Sequence, residues 1–514
     1  MIFQWKRKLH LGFILTFYLI APQLSSANFN VKTFGATGDG VTIDSPAINK
    51  AIEAAADAGG GTVYIPAGTY LCCSIRLKSN ISLYLDHGAV ILAAEPTDST
   101  GYDQAEPNEW GDKYKYQDYG HSHWRDSLIW GENLENISIV GSGLIYGKGL
   151  TKWDTDRKGV GNKAIALKLC RNVLIRDISI LHGGHFGILP TGVDNFTIEN
   201  VKIDTNRDGI NIDCCRNVRI SNCAINSPND DAIVLKSSYA LGYARVTESV
   251  TITNCQVMAY DEGTFLDGTY QTTQQLAHDD GGLTGRIKFG TESNGGFKNI
   301  TISNCTFDRC RGLALETVDG GLLEDVTITN ITMRDIVNSP FFLRLGRRMR
   351  GPEETPVGKL RRVNISNVVV YNADPRYGSL ILGVPGHDIE DVRFDNITIF
   401  VKGGAPKEQA AVQVPELEED YPDPMRFGEI PAYGFFIRHV DGIEMNNIRL
   451  AFLNDDHRPP FVLDDVKDAE FNHVKAQHLP GVATFVLRNV RDFKTHQCGE
   501  VADVKRDYMD VEEF

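Results

Sequence analysis

The chain has no surplus of positive charge: 52 Lys and Arg stand against 67 Asp and Glu, a formal net charge of -15. Nucleic acid is therefore a poor partner, because phosphate binding calls for a basic face. An anionic polysaccharide fits only where cations gather locally around its carboxylates. The ten cysteines lack paired CxxC spacing with histidines, so no metal site is expected from them. No second apolar run of membrane-spanning length follows the first, and the mature chain is expected to carry no membrane span.

That first run has the order of a secretory signal: Lys6-Arg7-Lys8, an apolar stretch from Leu9 to Ile20, then Ser25-Ser26-Ala27. It is about a dozen residues long against the roughly 20 that span a bilayer. Residues 1–27 are expected to be removed and residues 28–514 exported, to a secreted or periplasmic location. Cysteines in an exported protein raise the question of disulfides. Three of them, Cys223, Cys255 and Cys305, instead recur in one context, each after Asn preceded by Ser or Thr. That recurrence favours a stacked ladder of small buried side chains.

From about residue 130 a short pattern returns, in which alternating apolar residues follow an Asn, Asp or Gly. It is clear at residues 172–180, 195–203, 217–225 and 299–307, with later copies near Asp325, Arg362, Asp391, Gly442 and Asp468. Asn172, Asn195 and Asn217 are 23 and 22 residues apart. Period-two alternation in short strands, recurring every two to three dozen residues, fits the coils of a solenoid. The fixed Asn suits a corner that needs left-handed dihedrals. The fold expected is all-β, a single right-handed parallel β-helix. Asn-Ile-Ser and Asn-Ile-Thr triplets at Asn136, Asn299 and Asn396 match the glycosylation pattern, but the corner register accounts for them.

Residues 43–57 supply a capping helix, with Ser45 as N-cap, Pro46 at its first position and Ala and Ile on one face. The tail beyond about 480 is too short and polar to be a domain. Insertions at 267–285 and 402–431 are long enough to wall off one end of a groove, which would favour cleavage from a chain end.

Two adjacent coils carry acidic residues just after their strands. Asp208 lies 13 residues beyond Asn195, and Asp230 lies 13 beyond Asn217. Equal offsets put the two at one point on consecutive coils, roughly 4.7 to 4.9 Å apart, with Asp231 beside them. A lone corner Asp is usually a turn former. Three carboxylates crowded on one parallel sheet cannot all be ionised cheaply, so one is expected to keep a proton. An acid beside a base is what glycoside cleavage requires.

Residues 206–209, Asn-Arg-Asp-Gly, followed one coil later by Asn229-Asp230-Asp231, and the opening segment 34–40, Phe-Gly-Ala-Thr-Gly-Asp-Gly, resemble glycoside hydrolase family 28, the polygalacturonase-like enzymes. The resemblance runs from about residue 28 to beyond 400. It implies a pectin-lyase-like solenoid and an inverting hydrolase of galacturonan or rhamnogalacturonan, without metal or cofactor. By position, Asp230 would protonate the leaving oxygen, while Asp208 and Asp231 would deprotonate the attacking water.

The pattern departs from the family at two places. The usual Gly-His-Gly is absent from the aligned segment Leu283 to Glu292. Leu313-Ala314-Leu315-Glu316 stands where an Arg-Ile-Lys triplet that grips a uronate carboxylate is usual. An Arg286-Ile287-Lys288 triplet occurs one coil earlier, and alternation sends Arg286 and Lys288 toward the aspartates. Arg286, Lys288, His185 and Glu292 are the expected substrate-binding residues. A second cluster, Arg344, Arg347, Arg348 and Arg350, could hold an acidic sugar further along, and residues 118–124 are rich in rings suited to stacking on sugars. Two other readings compete. One is a β-helical lyase, which would leave an unsaturated, ultraviolet-absorbing product and commonly uses calcium. The other is a non-catalytic carbohydrate-binding solenoid, whose affinity would survive Asp230→Asn. The sequence says nothing of oligomeric state.

Overall fold

At coil corners the backbone must turn with φ above zero, which costs most L-residues about 1–2 kcal/mol and Asn less. Asn80, Asn136, Asn172, Asn195 and Asn217 adopt φ of 63°, 55°, 55°, 54° and 55°. Their side chains form a ladder: Asn136 Nδ2 donates to Asn80 Oδ1 (2.8 Å), Asn172 to Asn136 (2.9 Å), Asn195 to Asn172 (3.0 Å) and Asn217 to Asn195 (3.4 Å). Asn299 and Asn396, the other two triplet asparagines, hold the same kind of place, donating to Ser249 Oγ and Asn367 Oδ1.

Between corners the strands pair in parallel with the next coil, giving a right-handed parallel β-helix. The computed structural model describes residues 28–98, 100–112, 115–273, 282–499 and 501–514; the expected leader, 1–27, and part of the 267–285 insertion lie outside them. Inward residues stack rung on rung, as in Ile188, Ile210, Ile233 and Ile287. Each buried aliphatic side chain contributes about 1.5–3 kcal/mol, which makes this continuous stack the main source of stability. One hydrophobic core runs from Val31 to Met509. The cysteine ladder is part of it: Cys223, Cys255 and Cys305 are buried, the rung continues into Ile331, and all ten cysteines are free thiols.

The N-terminal helix spans Ser45–Asp57 and buries Ile48, Ala51, Ile52 and Ala55 over the first coils. Its N-cap is Asp44 rather than Ser45, so Ser45 opens the helix and Pro46 takes its second position, one later than expected. Asp44 does not cap with its side chain, because that carboxylate accepts instead from the Thr37 and Gly38 amides at 2.7 and 2.9 Å. At the other end the polar tail forms a strand, Val504–Glu513, antiparallel to Phe485–His496. Reversing direction there lets the last rung be covered without starting another coil.

The 402–431 insertion is not a free loop. Val414, Phe427, Ile430 and Ala432 pack on Phe342, Leu380, Phe436 and Val462, which point outward from the sheet. This second, smaller core closes the outer face of the solenoid beyond the coil that ends at Thr317.

Candidate active site

Phe186–Thr191, Asp208–Asp213, Ile233–Ser237, Ile287–Ser293 and Leu313–Thr317 are successive rungs of one sheet. Their inward residues are apolar, such as Ile210, Ile233 and Phe289, so the outward ones and those just before each strand meet on the outer side of the sheet. Asp208, Asp230 and Asp231 are brought together there, with one carboxylate oxygen of each within 4.8 Å of the others. Their register differs from the equal-offset reading. Ile210 pairs with Ile233, and the Gly209 amide donates to the Asp231 carbonyl at 3.0 Å. Asp231 is thus the rung partner of Asp208, and Asp230 sits beside Arg207. The corner residues Asn195 and Asn217 are 22 apart while Ile210 and Ile233 are 23 apart, so the second coil holds one extra residue in its turn.

Three cations face the trio. Arg207 Nη2 is 2.8 Å from Asp230 Oδ2. Arg286 Nε donates to Asp231 Oδ1 at 2.9 Å, and Lys288 Nζ lies 3.5 Å from Asp231 Oδ2. Alternation did send Arg286 and Lys288 to the aspartates. Asn211 Nδ2 donates to Asp208 Oδ2 at 2.7 Å. Burial, then the adjacent charges of Asp230 and Asp231, push the Asp208 carboxyl well above its usual range. Asp230 is half-buried, and against its desolvation Arg207 foremost, with the Asp208 hydrogen bond, brings it down to about 2. Burial and the neighbouring carboxylates thus favour the protonated form at Asp208, and Arg207 favours the ionised form at Asp230.

His185 precedes Phe186, the rung partner of Asp208. Its ring nitrogens face acceptors, Nδ1 with the Lys152 carbonyl at 2.9 Å and Nε2 with Asp118 at 3.3 Å. Burial opposes the charge on Asp118, but His185 holds that carboxyl below its ordinary range. Glu292 is 2.9 Å from Lys236 and 3.6 Å from Arg348; these cations outweigh its burial and keep it ionised. Glu292 is therefore bound to the protein's own cations rather than presented to a ligand.

Two expected ligand surfaces are used internally. Arg344 donates to the Gly383, Glu416 and Leu417 carbonyls, Arg347 pairs with Glu418, and Arg348 pairs with Asp319. Arg344 and Arg347 anchor the segment that covers the sheet. Among residues 118–124, His121, His123 and Trp124 are buried, with Trp124 Nε1 donating to Thr191 Oγ1 at 3.0 Å. No face of these three is open to a sugar.

Sequence reasoning missed Lys236 and gave Glu316 no role. Burial opposes the charge on Lys236, but Glu292, Asp208 and Asp118 hold it protonated far above its ordinary range. Glu316 is fully buried between Arg286 (3.7 Å) and Lys288 (3.5 Å). Burial pushes it up to about 7, against the pull of Lys288 and Arg286. Both residues are the last but one of their strands, at an outward position after Ile233-Val-Leu and Leu313-Ala-Leu. A charge there is the signal that was available. Tyr421 and Asp423, from the covering segment, reach Lys288 (Tyr421 Oη, 3.3 Å) and Arg311 (Asp423, 2.7 Å); nothing local in the sequence joins them to the site.

Two groups among the described residues have the spacing to hold a cation: the aspartate trio, and Asp388 with His439 and Asp465. In the trio, Arg207, Arg286 and Lys288 already supply the positive charge.

The family described as glycosyl hydrolases family 28 matches residues 104–263, which include all three aspartates and His185 and stop short of Arg286. A second family, rhamnogalacturonase A/epimerase, pectate lyase-like, matches residues 28–159. A probable polygalacturonase of Vitis vinifera is 25% identical over 406 residues, 73% of this chain and 74% of the relative. The family 28 exopolygalacturonase of Yersinia enterocolitica superposes with TM-score 0.63 at 18% identity, over 88% of this chain and 79% of that one. A hyperthermoactive exopolygalacturonase from Thermotoga maritima gives 0.57 at 17%, over 96% of both. At those identities the two structures share the fold.

Proposed function

Because the chain is a polygalacturonase-like glycoside hydrolase of family 28, we propose that it hydrolyses an α-glycosidic bond in a pectin-type acidic saccharide, galacturonan or rhamnogalacturonan, at Asp208, Asp230 and Asp231. The observation that carries this reading is the meeting of three carboxylates, one oxygen each of Asp208, Asp230 and Asp231 lying within 4.8 Å of the others, with burial favouring the protonated form at Asp208. A sugar entering the cleft displaces Arg207 from Asp230. Asp230 then takes the proton from Asp208 along the hydrogen bond between them. One transfer leaves Asp230 the acid for the leaving oxygen and Asp208 an ionised base. Asp208 and Asp231 draw a proton from water as its oxygen attacks the anomeric carbon, the C–O bond breaks, and Asp230 protonates the departing oxygen.

The family resemblance implies inversion; retention, through a covalent glycosyl-enzyme intermediate, is the alternative stereochemical course. Proton NMR of the first product distinguishes them, since inversion gives the opposite anomer and retention the same one. We further propose attack from a chain end, supported by the covering segment that ties Tyr421 to Lys288 and Asp423 to Arg311 at one end of the cleft. Export with cleavage after Ala27 completes the proposal; secreted protein beginning at Asn28 supports it, and retention of residues 1–27 removes it.

The test is product analysis on pectic oligosaccharides. New reducing ends without ultraviolet-absorbing unsaturated sugars, insensitive to chelator and lost in Asp230→Asn, are expected. Unsaturated products would make it a lyase, and binding without turnover a binding solenoid.

A further inference from the structure

The cations beside the aspartates are already matched by carboxylates of the chain. Arg207 meets Asp230, Lys236 meets Glu292, Arg311 meets Asp423 and Arg348 meets Asp319. Arg286 and Lys288, the two that sequence alternation aims at an acidic sugar, lie between Asp231 on one side and Glu316 on the other. Glu316 is 0% exposed, and neither of its oxygens receives a hydrogen bond from the described residues. It is held by the rung Leu313–Thr317 with its charge directed at the same two cations a uronate would need.

A uronate carboxylate is gripped by desolvated, charge-assisted hydrogen bonds. To use Arg286 and Lys288 it would have to enter beside two buried carboxylates, and like charges at that range disfavour one another. Tyr421 adds a steric reason. Its hydroxyl is 3.3 Å from Lys288 Nζ, its ring centroid is 5.5 Å from that nitrogen, and the residue is 39% exposed. What a sugar meets on this side of the aspartates is an aromatic face with the cation behind it. Such a face suits the C–H side of an uncharged ring. Arg426, near the same tyrosine, is itself 3.9 Å from Asp420.

We propose that Glu316 is a specificity-determining residue: it stands in for a uronate carboxylate at Arg286 and Lys288, so that the sugar bound on the Tyr421 side of the scissile bond is a neutral one within an otherwise acidic chain. The inference rests on the hydrolase reading of this same site. It narrows the substrate class to saccharides that alternate or terminate in uncharged residues, and sets fully uronic chains aside.

At a pH above 7, where Glu316 is ionised, the experiment compares kcat/KM of the full chain on homogalacturonan oligosaccharides, where every sugar is charged, with oligosaccharides alternating rhamnose and galacturonate. The wild-type protein is expected to favour the alternating set by at least about tenfold, and Glu316→Gln to narrow that ratio by about tenfold, chiefly through a lower KM for the uronic set. Equal or faster cleavage of homogalacturonan by the wild type overturns the inference and leaves the hydrolase intact. So does a ratio that Glu316→Gln does not move. Should neither set yield product above an Asp230→Asn background, the hydrolase reading itself falls and takes the inference with it. The wild-type comparison needs no variant, so it decides the matter even where Glu316→Gln does not fold.

Discussion

Arg207 lies 2.8 Å from Asp230, while Asp208, one coil earlier, has no cation within salt-bridge distance among the described residues. This asymmetry favours the ionised form at Asp230 and the protonated form at Asp208. Arg207→Gln removes the strongest influence that brings Asp230 down to about 2. Both the loss of the first proton and the loss of the second are then expected at higher pH. In a pH profile of kcat/KM, which reports the free enzyme, both limbs of the bell should move up. Unmoved limbs would show that Arg207 does not set the charge of the pair.

Glu316 makes stability depend on pH in a stated direction. Burial raises its carboxyl from 4.5 to about 7 in the folded protein. A raised carboxyl favours the fold while protonated, so its contribution is complete below about 4.5 and is lost as pH climbs through 7. The groups facing it are Arg286, Lys288, Asp231 and Asp423, with Arg344 its rung partner on the next coil. Asp208, also raised, adds a slope of the same sign. Thermal midpoints of wild type and Glu316→Gln between pH 4.5 and 8 should show a shallower fall in the variant. Parallel curves would mean that Glu316 is ionised throughout.

Much of this was legible before any coordinates. The corner asparagines and the alternating strands gave the solenoid, because left-handed corners and one-sided burial each leave a local mark. The carboxylate trio followed from counting residues from a corner. The register did not: one extra residue in the turn before Ala232 is invisible to that count, and it exchanges the rung partner of Asp208 from Asp230 to Asp231. The fate of the basic residues was hidden for a different reason. Whether Arg344 binds a sugar or the Glu416 and Leu417 carbonyls depends on where a segment some 70 residues away comes to rest. Glu316 was visible only as a departure from a family pattern, and its pairing with Lys288 required the fold.

The asparagine ladder should be measurable as stability. Asn195 holds φ at 54° and its side chain bridges the coils on either side. Asn195→Ala is expected to lose about 1–2 kcal/mol, from the left-handed backbone together with two exposed hydrogen bonds. Asn195→Gly should recover the backbone part and lose only the bridging. Urea unfolding of the three proteins resolves the two parts. An alanine variant as stable as wild type would mean the corner is held by the strands alone.

Arg286 offers the sharpest separation of structure from chemistry. It is buried between Asp231 and Glu316, so Arg286→Met leaves two carboxylates to share Lys288. Removing one partner from such a buried cluster typically costs about 3–5 kcal/mol, mostly from the charge left uncompensated. Substituting Glu316→Leu in the same protein takes away one of the two orphaned charges, so the double variant should be more stable than Arg286→Met alone. The two residues touch, and their effects should therefore not add; a double-mutant cycle in denaturant measures the coupling. Additive losses would mean that Glu316 is not the counter-charge of Arg286. Turnover should stay low in the double variant even as stability returns, because Asp231 has still lost the guanidinium that donates to it at 2.9 Å.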